Sequence, residues 1–320
     1  VLTGEIEIVK LIFQYQKQNS LTAKIDTADF IGNTPLMISA DKGFLDIATL
    51  LLERGAKVES INRWNETALM FASSKGFREI VSLLLMHGAD IHAKDISEKT
   101  ALLRAAQNGQ LLTVEELLLK GANLHFNAFD LSGEGGTALI QAARNGHNDV
   151  LQKLLNDGAE INATELLFHH SALMAAALNG HPKSVKLLLN AGADPMLKDT
   201  SKRTAFLLAA TNNHLSVLKQ LMNAKQNGKQ TDSNGNGIWH LMSMSDSQKN
   251  TEESSEIVDN NNDSNLIKEL ISNVIPLDSK NKDGETALMI AVKRENLELV
   301  KTLINLGAST YIIKPDGETA

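Results

Sequence analysis

The chain has 320 residues, 42% hydrophobic but only 4% aromatic, so its core has to be built from Leu, Ile, Val, Ala and Met. That mixture suits small helical units better than a sandwich or barrel, which lean on aromatic and β-branched residues. A formal net charge of -7 argues against a general nucleic-acid binder, no apolar stretch approaches the roughly 20 residues that cross a bilayer, and the lack of cysteine excludes disulfides and thiolate metal sites.

In chain order, residues 1–28 hold an apolar, helix-like segment from Gly4 to Phe13 and a long connection. One phrase then recurs, as Thr34-Pro35-Leu36-Met37, Thr67-Ala68-Leu69-Met70, Thr100-Ala101-Leu102-Leu103 and Thr137-Ala138-Leu139-Ile140. It continues as Ser171-Ala172-Leu173-Met174, Thr204-Ala205-Phe206-Leu207, Gly237-Ile238-Trp239-His240 and Thr286-Ala287-Leu288-Met289. The steps between first residues are 33, 33, 37, 34, 33, 33 and 49, a period that marks stacked repeats. They divide one array into units at 29–61, 62–94, 95–131, 132–165, 166–198, 199–231, 232–280 and 281–313, with 314–320 opening a further unit.

Each recurring residue has a physical reading. The Thr is suited to cap a first helix by accepting an orphan N–H. Pairs such as Ala105-Ala106 and Ala142-Ala143 let neighbouring repeats approach closely. Gly43, Gly76, Gly109, Gly146 and Gly180 supply the positive φ that lets one helix stop and the next begin. A second helix with apolar spacing follows, as at Ile80, Val81, Leu83, Leu84 and Leu85, and a Gly-Ala pair such as Gly88-Ala89 ends it.

Taken together, the phrase resembles the ankyrin repeat, whose pattern is Asp-x-x-Gly-x-Thr-Pro-Leu-His, a glycine-hinged second helix and a closing Gly-Ala-Asp. The resemblance implies an all-α solenoid of stacked helix-turn-helix units with short β-hairpin fingers at the side. It also implies a monomeric, non-enzymatic, cytoplasmic interaction scaffold that binds another protein, with no cofactor, no nucleic acid and no membrane contact. The competing reading is a regulatory or targeting arm of an enzyme or channel domain outside this stretch, since both ends fall within repeats. The family's His is Met, Leu or Ile at every repeat except His240, so apolar packing is expected in place of the ring's hydrogen bonds.

Other patterns have weaker claims to chemistry. Asp232, Asn234, Asn236 and Gly237 imitate the start of a calcium loop, but Ser243 stands where a bidentate Glu is required. The glycine-rich Gly133-Glu134-Gly135-Gly136 lacks the Lys-Ser/Thr of a phosphate loop and reads as a flexible finger. His169 and His170 read as a surface pair. Asn162 is the residue that matches the family's hydroxylated Asn, and its simpler role is to stabilise a turn. Residues 246–264, acidic and almost free of apolar side chains, read as a disordered insertion in repeat seven.

The departures that point to a partner lie at the finger tips. The first five tips carry apolar residues: Phe30 and Ile31, then Arg63 beside Trp64, then Ile96, Phe129 with Leu131, and Leu167 with Phe168. Later tips are polar, as at Thr200-Ser201, Ser233-Asn234 and Lys282-Asp283. Stacked fingers would join the first five into one apolar ridge, the kind of row that marks an interaction site. Lys42, Lys75, Asn108 and Arg144, at first-helix positions, are expected to form its polar rim.

Overall fold

The computed structural model describes residues 6–18, 24–223, 230–245, 276–314, 317 and 319. The acidic stretch 246–264 and the repeat-seven positions Leu266, Ile267, Leu270 and Ile271 lie outside the described residues. Every regular element among them is a helix, and the chain divides into two compact units, Val1–Leu167 and Phe168–Ala320.

The first unit comprises α1 (Ile6–Gln18), α2 (Pro35–Lys42), α3 (Leu45–Glu53), α4 (Ala68–Lys75), α5 (Arg78–Met86), α6 (Ala101–Gln107), α7 (Leu111–Leu119), α8 (Ala138–Arg144) and α9 (Asn148–Asn156). Each first helix packs on its own second helix. The first helices α2, α4, α6 and α8 stack in one layer, and α1, α3, α5, α7 and α9 stack in another. The second unit repeats the plan with α10 (Ala172–Leu178), α11 (Pro182–Asn190), α12 (Ala205–Thr211), α13 (Leu215–Asn223), α14 (Ile238–Met244), α15 (Ala287–Lys293) and α16 (Leu297–Asn305).

The recurring residues do what their chemistry predicts. Thr34, Thr67, Thr100, Thr137, Ser171 and Thr286 each accept the N–H of the third helical residue at 3.3–3.4 Å. Ala40, Ala72, Ala105, Ala106, Ala142 and Ala143 are completely buried between layers, where a larger side chain would hold the helices apart. At Gly109 the hinge demands glycine twice over. Its φ is +71°, and a Cβ there would lie 2.6 Å from Nδ1 of His147, whose Nε2 sits 3.0 Å from the Gln107 carbonyl.

Three expectations need correction. The fingers are tight turns rather than paired strands: the described residues show one isolated antiparallel bridge, Ala128 with Gly136. The loss of the family's His is not always a loss of its hydrogen bond, because Sδ of Met37 and of Met289 accepts the N–H of Thr34 and Thr286 at 3.4 Å. The two adjacent histidines are not a surface pair. His169 is exposed at φ +61°, whereas His170 is buried with Nε2 3.4 Å from the Asp199 carboxylate.

Candidate functional site

Fingers one to three each begin with an Asp or Asn five residues before the capping Thr, and this residue builds the turn. Asp29 Oδ1 accepts the N–H groups of Ile31 and Asn33 at 2.9 and 2.8 Å. Those N–H groups, Asn33 first, hold the Asp29 carboxyl below its usual pKa, although it is fully exposed. Asn62 does the same for Trp64 and Glu66, and Asp95 for Ser97 and Lys99, all at 2.8–3.0 Å. Asp232 spends its carboxylate likewise on Asn234 and Asn236, so the calcium-like sequence is an ordinary finger turn. No cluster of three metal-ligating side chains occurs among the described residues.

With the turns fixed, the tips link to one another. Arg63 N–H donates to the Ile31 carbonyl at 3.1 Å, and Ile96 N–H to the Trp64 carbonyl at 3.0 Å. Fingers one, two and three therefore form a row joined through backbone. Side chains brace the row from beneath: Asn62 Nδ2 donates to Asn33 and Glu66, and Arg104 on α6 pairs with Glu66 and Asp95 together. Sequence reading passed over this brace, whose signal was the recurrence of Asp29, Asn62 and Asp95 five residues ahead of Thr34, Thr67 and Thr100.

The row presents apolar surface. Phe30 is 80% exposed, Ile96 62% and Trp64 45%, with Arg63 exposed between them and Ile31 half-buried. Finger four, tied to finger three by Lys99 and Glu134 at 3.5 Å, adds Leu131 at 81% and Phe129 at 42%. Leu167, half-buried, closes the first unit. Phe168 belongs to the second unit, is exposed, and accepts the Thr200 N–H through its carbonyl at 3.0 Å.

The first-helix positions divide in two. Lys42 and Lys75 are exposed and share the Asp41 carboxylate at 2.9 and 3.8 Å. Asn108 donates to Ser74 at 3.2 Å and to the carbonyl of Arg104 at 2.8 Å, leaving one face to solvent. Arg144 is half-buried, donating to the carbonyls of Gly133 and Gly135 at 3.0 and 3.4 Å, and burial pushes its pKa below the usual arginine value.

A family model described as ankyrin repeats, in three copies, matches residues 1–95, 92–165, 168–251 and 255–320. The chain belongs to the ankyrin-repeat family. Among solved structures, the human ASB11 ankyrin repeat domain superposes with a TM-score of 0.60 at 21% identity, over 68% of this chain and 93% of that one. At that identity the likeness is one of fold. A search of curated protein sequences returns no match. Ankyrin repeats are in general protein-interaction modules, and no described helix here is long and apolar enough to cross a membrane.

Proposed function

We propose that this ankyrin array binds a partner protein through the finger row of its first unit, without catalysing a reaction. The observation that carries the reading is the exposure of Phe30, Trp64, Ile96 and Leu131 on successive fingers, three of which are joined through backbone. Scattered exposed apolar residues are ordinary, but a row of them on fixed turns is costly in water and favourable once covered. Arg63 beside Trp64 has the composition of a binding hot spot. Lys42, Lys75 and Asn108 supply polar groups at the first-helix positions, as the margin of such an interface requires.

The test is Trp64→Ala. Proteins recovered on the immobilised chain are quantified against the variant, and thermal unfolding of both is followed by circular dichroism. Because Trp64 is nearly half exposed, affinity should fall by about 2 kcal/mol or more while the melting temperature barely moves. A lower melting temperature with intact binding would make Trp64 a packing residue and remove the basis for the site.

A further inference from the structure

The chain repeats a thermolabile pair, asparagine followed by glycine, at 108–109, 145–146, 179–180, 227–228, 234–235 and 236–237. Glycine has no side chain to shield its nitrogen, which can therefore reach the carboxamide carbon of the asparagine before it. Pair 227–228 lies outside the described residues. In the other five the glycine N–H is spent alike. Gly109, Gly146 and Gly180 donate to the carbonyls of Ala106, Ala143 and Ala177 at 3.3–3.4 Å, Gly235 to that of Asp232 at 3.1 Å, and Gly237 to His240 Nδ1 at 3.3 Å. The nitrogens do not tell the five apart.

The carboxamides do. Asn108, Asn145 and Asn179 end α6, α8 and α10, and each turns its Nδ2 back onto the last helical turn. They donate to the carbonyls of Arg104, Gln141 and Ala175 at 2.8–2.9 Å, which points the carboxamide at the helix and away from the glycine that follows. Asn236 is buried with both ends of its carboxamide held: Nδ2 donates to Asp232 Oδ2 and Oδ1 accepts from Asn281 Nδ2, each at 3.0 Å. Asn234 differs from all four. It is exposed at the tip of finger seven, and its side chain makes no hydrogen bond among the described residues. Its backbone alone is engaged, the N–H with Asp232 Oδ1 at 2.8 Å and the carbonyl with the Lys282 N–H of finger eight at 2.9 Å.

We propose that Asn234–Gly235 is a site of spontaneous covalent modification, where asparagine becomes isoaspartate and finger seven is thereby untied from finger eight. The Gly235 nitrogen, once its proton has passed to water, bonds to Asn234 Cγ. The Cγ–Nδ2 bond breaks and ammonia leaves, closing a succinimide ring. Water then opens the ring. Cleavage between the nitrogen and Cγ gives Asp, whereas cleavage between the nitrogen and the main-chain carbonyl carbon gives isoaspartate, whose backbone runs through Cγ. The isoaspartyl chain is one methylene longer, and the carbonyl that received the Lys282 N–H becomes a carboxylate off the chain path. Finger seven has no slack to absorb the change, since even a Cβ on Gly235 would lie 3.3 Å from the Lys282 nitrogen and 3.5 Å from Asn281 Cα.

The experiment ages the full chain at mildly alkaline pH, well below its melting temperature. Each Asn–Gly peptide is followed by mass spectrometry, with electron-transfer fragmentation to separate isoaspartate from Asp. The mass gain of deamidation should appear first at Asn234. At Asn108, Asn145, Asn179 and Asn236 it should be at least about tenfold slower, the factor supplied by a hydrogen bond that takes on the order of 1.4 kcal/mol to open. In urea the five should react at comparable rates. Amide exchange at Lys282 should rise in step with isoaspartate. It should stay unchanged in Asn234→Gln aged in parallel, because glutamine would have to close a larger ring. Asn234→Asp adds the charge without lengthening the backbone, and its Lys282 amide should remain protected. An equal or earlier gain at any of the four bonded pairs overturns the proposal. So does a lead of Asn234 that persists in urea, because the folded carboxamide would not then set the order. Isoaspartate at 234 with Lys282 still protected overturns the untying of finger eight, as does loss of that protection in the aged glutamine variant.

Discussion

Arg104 shows how much of the finger row hangs on single side chains. Its Nε and Nη2 both reach Asp95, and Nη2 also reaches Glu66 at 2.7 Å, so one guanidinium ties two successive fingers to α6. The Asp95 side chain is 2% exposed and that of Glu66 14%. Arg104→Met keeps the length and removes the charge, which leaves two carboxylates without their cation in a poorly solvated place. Breaking a buried pair by removing one partner typically costs 3–5 kcal/mol, and the partial exposure of Glu66 and Arg104 puts the expectation near the lower end, about 3 kcal/mol. Urea unfolding should show a lower midpoint at unchanged slope. A change of less than about 1 kcal/mol would mean that water replaces the guanidinium readily and that the Asp and Asn turns alone hold the fingers.

At the scale of the element, α14 is the clearest case of a repeat that departs from its neighbours and compensates. Gly237 stands where they have Thr and so offers no capping oxygen. His240 accepts the Gly237 N–H on Nδ1 at 3.3 Å, and its Nε2 lies 3.1 Å from the Glu285 carbonyl, joining α14 to the turn before α15. This arrangement fits the neutral ring, with one nitrogen accepting and the other donating. A second proton would put N–H against N–H. Burial is the main cause that lowers the His240 pKa below its ordinary 6.5, and burial acts in the same direction on His214. For a group with a depressed folded pKa, the stabilisation is fully present above the unfolded value and is lost as pH falls through the folded one. The melting temperature of the second unit should therefore decline as pH drops below about 6.5, where an unperturbed His begins to charge. His240→Leu should be less stable at pH 7 but should lose less on acidification. An identical pH profile in wild type and variant would show that His240 does not titrate with unfolding.

Across the whole molecule, what could be read in the sequence was what local chemistry repeats. The helix pairs, their caps and their hinges follow from Thr, Gly and Ala at a period of 33, because each does the same task in every unit. The exposure of Phe30, Trp64, Ile96 and Leu131 was also legible, since the phase of the repeat places them at turns. The bracing under those tips was not, because Arg104 and Arg144 act on residues 9 to 38 positions away, and neither identity nor spacing declares the partner.

The two units should also differ in stability, for reasons that can be counted residue by residue. In a repeat array the contributions of each unit and each interface add locally, so defects are not averaged over the chain. Gly43, Gly76, Gly109 and Gly146 occupy the hinges of the first unit, and Thr34, Thr67, Thr100 and Thr137 cap its first helices. In the second unit Asn213 and Glu295 take left-handed hinge positions at φ +56°, each costing about 1 kcal/mol relative to glycine. Thr204 makes no side-chain cap and donates instead to Gln230 at 2.6 Å, forgoing about 1 kcal/mol. The second unit should therefore unfold first. The chain carries its own reporters, because its two tryptophans lie one in each unit. Trp239 is 1% exposed and will shift its emission strongly on entering water, whereas Trp64 is already 45% exposed and will change little. Tryptophan fluorescence should thus record its transition at a lower urea concentration than far-ultraviolet circular dichroism, which weights the helices of both units. Replacing Trp239 with Phe should remove most of the fluorescence change and leave the later part of the dichroism curve in place. Coincident transitions by the two probes would instead make the array one cooperative unit, with the irregular repeats held up by their neighbours.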